Sequence, residues 1–277
     1  MKAGKASRAE RANVVLSFLP FLPFLTFLPF LQSMLSIVST PIGNLGDITL
    51  RALDILKTCD AIICEDTRVT GQLLKLLDLP KKELISCHGY SDTGKVAMII
   101  HRLQDGQHLV LVSDAGTPGI SDPGFAIVSK ARESNVPIQV IPGASAFLAA
   151  LSASGLPINQ FVYLGFLPLK KGRQTLLKSF MDEERTMVFY ESVHRIEKTL
   201  RELADALKEQ PQRPVVIARE LTKMHETVVA TTVADLPAIA ASIVKKGEFV
   251  VVVGALHQSK TSKVGALHAM PLHDASR

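Results

Sequence analysis

The strongest constraint on this chain is a rhythm of short apolar runs, each cut off by small and polar residues. The runs LSIV (35–38), AIIC (61–64), HLVLV (108–112) and VPIQVI (136–141) have strand length and many β-branched side chains. Between them, apolar residues recur at helical spacing, with Ile48, Ala52, Ile55 and Leu56 on one face and Val96, Ile99, Ile100 and Leu103 on another. Strands alternating with helices make βαβ units and a mainly parallel sheet covered by helices. A second series of runs follows at 161–164, 186–190, 214–218, 228–232 and 249–253. Within it Val193, Ile196, Leu200, Leu203 and Leu207 mark an amphipathic helix capped by Ser192. The stretch SASGLPINQ (152–160) breaks both periods and reads as a linker. The expected fold class is therefore α/β, with two α/β domains over 34–155 and 156–256 and a ligand cleft between them.

In open α/β sheets, ligands bind beyond the carboxyl ends of the strands. Four segments fall at such ends: STPIGN, EDTR, SDAGTP and PGAS. The third continues as SDAGTPGISDPG (113–124), which holds two aspartates. Asp122 precedes Pro123 and the helical FAIVSKA, so it reads as a helix cap with proline at the first helical position. Asp66 or Thr67 is a candidate cap for the helix that carries Leu73, Leu74 and Leu77. Asp114 has no such structural task. It directly follows a strand among small residues, and Gly43, Gly116 and Gly143 leave the backbone open to close approach. Neither G-x-G-x-x-G nor a P-loop occurs. The pattern therefore favours a nucleoside ligand without a pyrophosphate.

Charge limits the partners. The net charge is +5, but residues 1–33 carry a surplus of +3 and 257–277 a surplus of +2, so 34–256 is neutral. A phosphate-binding surface must come from local clustering. The densest basic cluster is LKKGRQTLLK (169–178), with Lys170, Lys171, Arg173 and Lys178 and no acid; Arg68 and Arg195 are candidates to supplement it. A solvated basic loop is the alternative reading. Three cysteines without CxxC spacing read as reduced thiols, and no metal site is expected. The segment FLPFLPFLTFLPFL (18–31) imitates a signal peptide or an anchor. However, Pro20, Pro23 and Pro29 leave backbone carbonyls unpaired, which hydrocarbon penalises. Residues 1–33 therefore read as an extension outside the fold, without stable membrane insertion, with peripheral membrane contact as the alternative. Residues 257–277 read as a tail. VGALH recurs at 253–257 and 264–268 with no physical account.

Eight motifs in order carry a family resemblance: STPIGNLGDITLRALDIL (39–56), EDTR (65–68), SDAGTPGISDPG, PGASA (142–146), GFLP (165–168), FYESVHR (189–195), RELTKMHE (219–226) and KGEFVVVV (246–253). Over about 34–256 the chain resembles the ribosomal RNA small subunit methyltransferase I family, 2′-O-cytidine methyltransferases of the tetrapyrrole methylase superfamily. The resemblance implies S-adenosylmethionine bound between two domains, a cytoplasmic homodimer, and methylation of a ribose 2′-hydroxyl of 16S rRNA in the small ribosomal subunit, near its decoding region. It places methyl-donor contacts on Pro41, Ile42, Asp114, Thr117, Ser145, Ala146, Phe189 and Tyr190. Ser145 is alternatively a plain cap of the helix at 146–153. An ionised Asp114 would accept charge-assisted hydrogen bonds from the donor. The chain departs from the family at CHGYSD (87–92), where a His-rich stretch ending in Asn-Glu is usual, and at Val193, where proline usually follows YES.

Methyl transfer to a hydroxyl needs alignment and loss of a proton. Candidate bases are Lys223, with its pKa lowered by burial, then Glu191, His88 and Glu65. The alternatives are that Arg219, Glu220 and Lys223 form a surface ion pair and that alignment alone suffices. Two rival readings stand beside this one. A methylase of a small tetrapyrrole-like molecule would typically show G-x-G-P-G in place of STPIG. A noncatalytic RNA-binding or membrane-associated protein would leave the strand-end motifs without a purpose.

Overall fold

The computed structural model describes residues 33–87, 93–120 and 124–256. The FLP-repeat extension, His88, Ser91, Asp92, Asp122, Pro123 and the second VGALH copy lie outside the described residues.

The first sheet is fully parallel. Its strands are β1 (Met34–Val38), β2 (Ala61–Cys64), β3 (Glu83–Ser86), β4 (His108–Leu111) and β5 (Ile138–Ile141), in the order β3-β2-β4-β1-β5. The runs in the sequence mark four of the five. β3 has only Leu84 and Ile85 as an apolar run and does not stand out. Side chains alternate across a strand, and both faces are buried. Leu35, Ala61, Ile63, Leu109 and Leu111 face α3 (Thr93–Gln104) and α4 (Phe125–Glu133). Val38, Ile62, Cys64 and Val110 face α1 (Leu50–Thr58) and α2 (Thr67–Leu76). This two-sided burial explains why the strands read as continuous apolar runs. α4 begins at Phe125 with Gly124 in the cap position, so the helix starts later than the expected Asp122–Pro123 start.

The second sheet contains β6 (Phe161–Phe166), β7 (Thr186–Glu191), β8 (Pro214–Arg219), β9 (Thr227–Thr232) and β10 (Phe249–Val253), in the order β6-β7-β10-β8-β9. Only β6 and β7 are parallel; the remaining pairs are antiparallel. The parallel rhythm of the first series thus does not carry over. One face packs on α6 (Arg173–Ser179), α7 (Ile196–Ala206) and α8 (Leu236–Ser242) through Met187, Phe189, Ile217 and Val251. α7 starts later than expected and has no side-chain cap: Arg195 is in the cap position, and the Ser192 hydroxyl accepts from Arg195 Nε at 3.3 Å. The other face, with Val188, Val216, Ala218, Val250 and Val252, is covered by α5 (Ala146–Ala153), which follows β5 in the chain. Phe147, Ala150 and Leu151 of α5 and Ile42 of the first sheet's β1 loop share that core. The two domains are joined by a continuous apolar seam. Among the described residues no helix is long and apolar enough to cross a membrane.

Candidate active site

β1 and β4 are neighbours, and the chain leaves them in opposite directions along the sheet, toward β2 and toward β5. Such a switch point opens a crevice at the carboxyl edge. The loops there are bound to each other. The Thr40 and Gly116 backbones exchange hydrogen bonds of 2.8 and 3.1 Å, and the Thr40 hydroxyl donates to the Ser113 carbonyl at 3.1 Å. Gly116 holds φ +86, a left-handed conformation that suits glycine. At Gly143, a β-carbon would lie 2.9 Å from Ser39 Cβ, so the loop after β5 approaches β1 only as glycine. The Thr117 hydroxyl lies 2.9 Å from that of Ser39 and donates to the Ala144 carbonyl at 3.0 Å, joining three loops.

Above these loops lies a cavity of about 480 Å³, closed on its far side by the second sheet. Ile42, Asp114, Thr117, Ser145, Ala146 and Tyr190 of the expected donor set line it, together with Glu65. Pro41 is buried in its loop off the cavity wall. The Phe189 side chain points the other way, into the core against Phe180.

Asp114 Oδ1 accepts the Asp66 N–H at 3.1 Å. Asp66 is the cap of α2: its carboxylate accepts from the Arg68 N–H at 2.8 Å and from the Arg68 guanidinium. Arg68 holds the Asp66 carboxyl far below the usual carboxylate range, while its own guanidinium stays exposed. Ser145 is in the cap position of α5, yet it makes no cap hydrogen bond. Its hydroxyl is buried and without a partner among the described residues, so plain capping does not account for it. The Phe147 N–H of the same helix donates to the Tyr190 hydroxyl at 3.3 Å.

The candidate bases are corrected by their partners. Lys223 Nζ lies 3.0 Å from both Glu220 Oε1 and Glu248 Oε2. Burial draws its pKa down, but the hydrogen bonds and charges of the two glutamates outweigh burial, and the amine titrates above its usual value. The expected lowering is reversed. The Lys223 stem lies over Gly43, where any side chain would collide with it. Glu220 and Thr222 hold left-handed φ values of +52 and +67, so the loop is strained where it meets the cavity rim.

Glu191 lines the same cavity, but it is 1 % exposed and its carboxylate is held by several partners. Its Oε1 accepts the Ser192 N–H at 2.8 Å and pairs with Arg195 at 2.8 Å; its Oε2 accepts the Thr199 hydroxyl at 2.7 Å, with Arg173 at 3.8 Å. Glu65 lines the cavity with no hydrogen bond or ion pair among the described residues.

The basic set also changes. Arg173 is 5 % exposed, with its guanidinium bound to Glu202 at 2.7 Å, Thr199 at 2.6 Å and the Pro168 carbonyl at 3.2 Å. Arg195 binds Glu191 and the Leu167 carbonyl. Neither guanidinium is available to a phosphate. Lys170, Lys171, Lys178 and Arg68 remain exposed. Phe166 and Glu248 line the cavity without having been anticipated; the signal for Phe166 was the glycine before it in GFLP.

Residues 34–237 match the family of tetrapyrrole (corrin/porphyrin) methylases. The chain is 45 % identical over 227 residues, 81 % of its length and 80 % of the relative's, to a ribosomal RNA small subunit methyltransferase I of Synechocystis sp.. It is 44 % identical to the protein of the same name from Escherichia coli O157:H7, covering 86 % of this chain and 84 % of that one. Among solved structures it resembles a cobalt precorrin-4 methyltransferase of cobalamin biosynthesis, with a TM-score of 0.59 at 20 % identity over 80 % of this chain and 95 % of the other.

Proposed function

The chain belongs to the tetrapyrrole methylase family, and from that premise we propose that it is an S-adenosylmethionine-dependent methyltransferase of small-subunit ribosomal RNA. The acceptor, following the resemblance in the sequence, is the 2′-hydroxyl of a 16S cytidine near the decoding region. The protein acts in the cytoplasm as a homodimer. The RNA assignment rests on relatives that cover four-fifths of the chain at 45 % identity. The observation that carries the site is the convergence of Asp114, Glu65 and the partnerless Ser145 hydroxyl on one cavity.

The cavity suits the donor. Its volume of about 480 Å³ falls in the range of small-molecule sites. Its wall offers carboxylates to a ligand that carries a sulfonium and an ammonium. When bound, S-adenosylmethionine supplies an electrophilic methyl group on sulfur. Asp114 accepts hydrogen bonds from the donor's hydroxyl or amino groups, and Ser145 supplies the hydroxyl that the helix leaves unused. Thr117 acts by joining the three strand-end loops rather than by binding directly. Tyr190 holds the first turn of α5 in place. Glu65 is the carboxylate positioned to take the proton of the acceptor hydroxyl, and alignment in the closed crevice supplies much of the remaining rate enhancement. Lys223 is a positioning residue that fixes Glu248 at the rim.

The test is to incubate the full chain with labelled S-adenosylmethionine and small ribosomal subunits that lack the modification. Label recovered as 2′-O-methylcytidine supports the proposal. Label only in added tetrapyrroles, or none at all, overturns it.

A further inference from the structure

β6 does not run straight to its end. Its pairing with β7 shifts register between Tyr163 and Phe166, and Gly165 inside this bulge has φ +60. A bulge re-aims the side chain that follows it, and bulges occur next to active sites. Here the re-aimed residue is Phe166. The residue is 53 % exposed and lines the cavity, its ring centroid 5.4 Å from that of Tyr190.

The segment after Phe166 is clamped. Arg195 Nη1 donates to the Leu167 carbonyl at 3.0 Å and Arg173 Nη1 to the Pro168 carbonyl at 3.2 Å. Both guanidiniums are in turn held by buried Glu191. A buried ionic cluster thus fixes a short loop whose own side chain, Phe166, is left facing solvent. Directly beyond the clamp, Lys170 and Lys171 are exposed. Lys170 lies four positions after Phe166, a reach of at most about 14 Å. One clamped segment therefore carries an apolar ring at the cavity and, a few residues on, two exposed cations. Aromatic rings next to cations are how proteins hold splayed single-stranded nucleotides, the ring taking the base and the cations the phosphates.

We propose that Phe166 is the stacking platform for the base of the acceptor nucleotide, with Lys170 and Lys171 on the adjoining phosphates. The proposal rests on the RNA reading above and goes beyond it by assigning the base a place. Phe166 is half exposed and lies a few residues before the exposed Lys170 and Lys171 on the clamped segment, which favours the RNA base over the donor's adenine as its occupant.

The experiment measures kcat/KM for unmodified small subunits at saturating donor, and donor Kd by calorimetry, for the full chain and for Phe166→Leu, Phe166→Ala, Phe166→Tyr and Phe166→Trp. Loss of one stacked base corresponds to about a 5- to 150-fold fall in kcat/KM for the Leu and Ala variants. Donor Kd should change far less than kcat/KM, which also shows that the variants are folded, and the Tyr and Trp variants should return to near wild type. Phe166→Leu keeps an apolar wall and removes only the π face. Full activity of Phe166→Leu overturns the proposal and leaves the RNA reading intact. So does a loss confined to donor Kd, which would make Phe166 a wall of the donor site. A wild-type chain that labels no subunits overturns both.

Discussion

Lys223 shows why burial alone does not decide a protonation state. Glu220 is three residues before it, but Glu248 is twenty-five residues later, and only the fold brings both within 3.0 Å of the amine. The folded pKa lies above the usual 10.5, so the ammonium persists through neutral and mildly alkaline pH, and its contribution to stability fades only as pH rises through that raised value. The rate measured from about pH 7 to 9 should therefore show no limb from lysine deprotonation. Lys223→Met should lower activity without altering the shape of that profile, and Lys223→Arg should restore it. A limb present in the wild type and absent in Lys223→Met would return the base role to the lysine. At Asp114 the prediction is sharper. Asn can still accept the Asp66 N–H, so Asp114→Asn should fold normally while donor binding weakens about 10- to 150-fold in calorimetry, the value of a hydrogen bond to a charged group. Unchanged affinity would remove Asp114 from the donor site. The place of Asp114 at the cavity was legible because it directly follows a buried strand at the sheet's carboxyl edge, whereas its bond to the Asp66 N–H was not. The burial of Glu191 was not legible, because its three hydrogen-bonding partners and Arg173 come from α6, α7 and the β7–α7 turn, which no local pattern joins.

The same lesson holds for whole elements. In the sequence, Arg173 and its neighbours Lys170 and Lys171 form one basic cluster. In the fold they separate, because α6 begins at Arg173 and turns that one residue inward onto α7, while the two lysines stay in water. Their substitutions should diverge. Arg173→Met leaves Glu191 and Glu202 short of a partner and should cost about 3–5 kcal/mol in urea unfolding, as for a broken buried pair. Lys170→Ala with Lys171→Ala should leave stability nearly unchanged. It should reduce the slope of log affinity against log salt by about 0.7 per lost phosphate contact on single-stranded RNA. If the Arg173 variant instead changes the salt slope at full stability, the division between clamp and contact is wrong. Strand runs buried on both faces, such as β2 and β10, were plain in the sequence because every residue there is apolar. The antiparallel pairing of β8, β9 and β10 was not, since strand direction depends on connections rather than on composition.

At the scale of the molecule, α5 makes the two sheets interdependent. It belongs to the first domain by chain order and to the second by packing, and the sequence hid this because AFLAALSA is apolar on every side. Unfolding should accordingly be a single transition, with saturating donor at about 100 times its Kd adding about 2.7 kcal/mol. Leu151→Ala, deep in the seam, should cost about 2–5 kcal/mol and also weaken donor binding, because the cavity wall begins at the first turn of the same helix. Two resolved melting steps in calorimetry would count against this coupling. The register of that one helix also bears on ancestry. A crossover in the connection at 154–160 would strand it with the wrong parent, leaving one descendant with a bare apolar helix and the other with an uncovered sheet. Recombination that exchanges the second half among relatives must break upstream of residue 146 and carry the helix along with the sheet it covers.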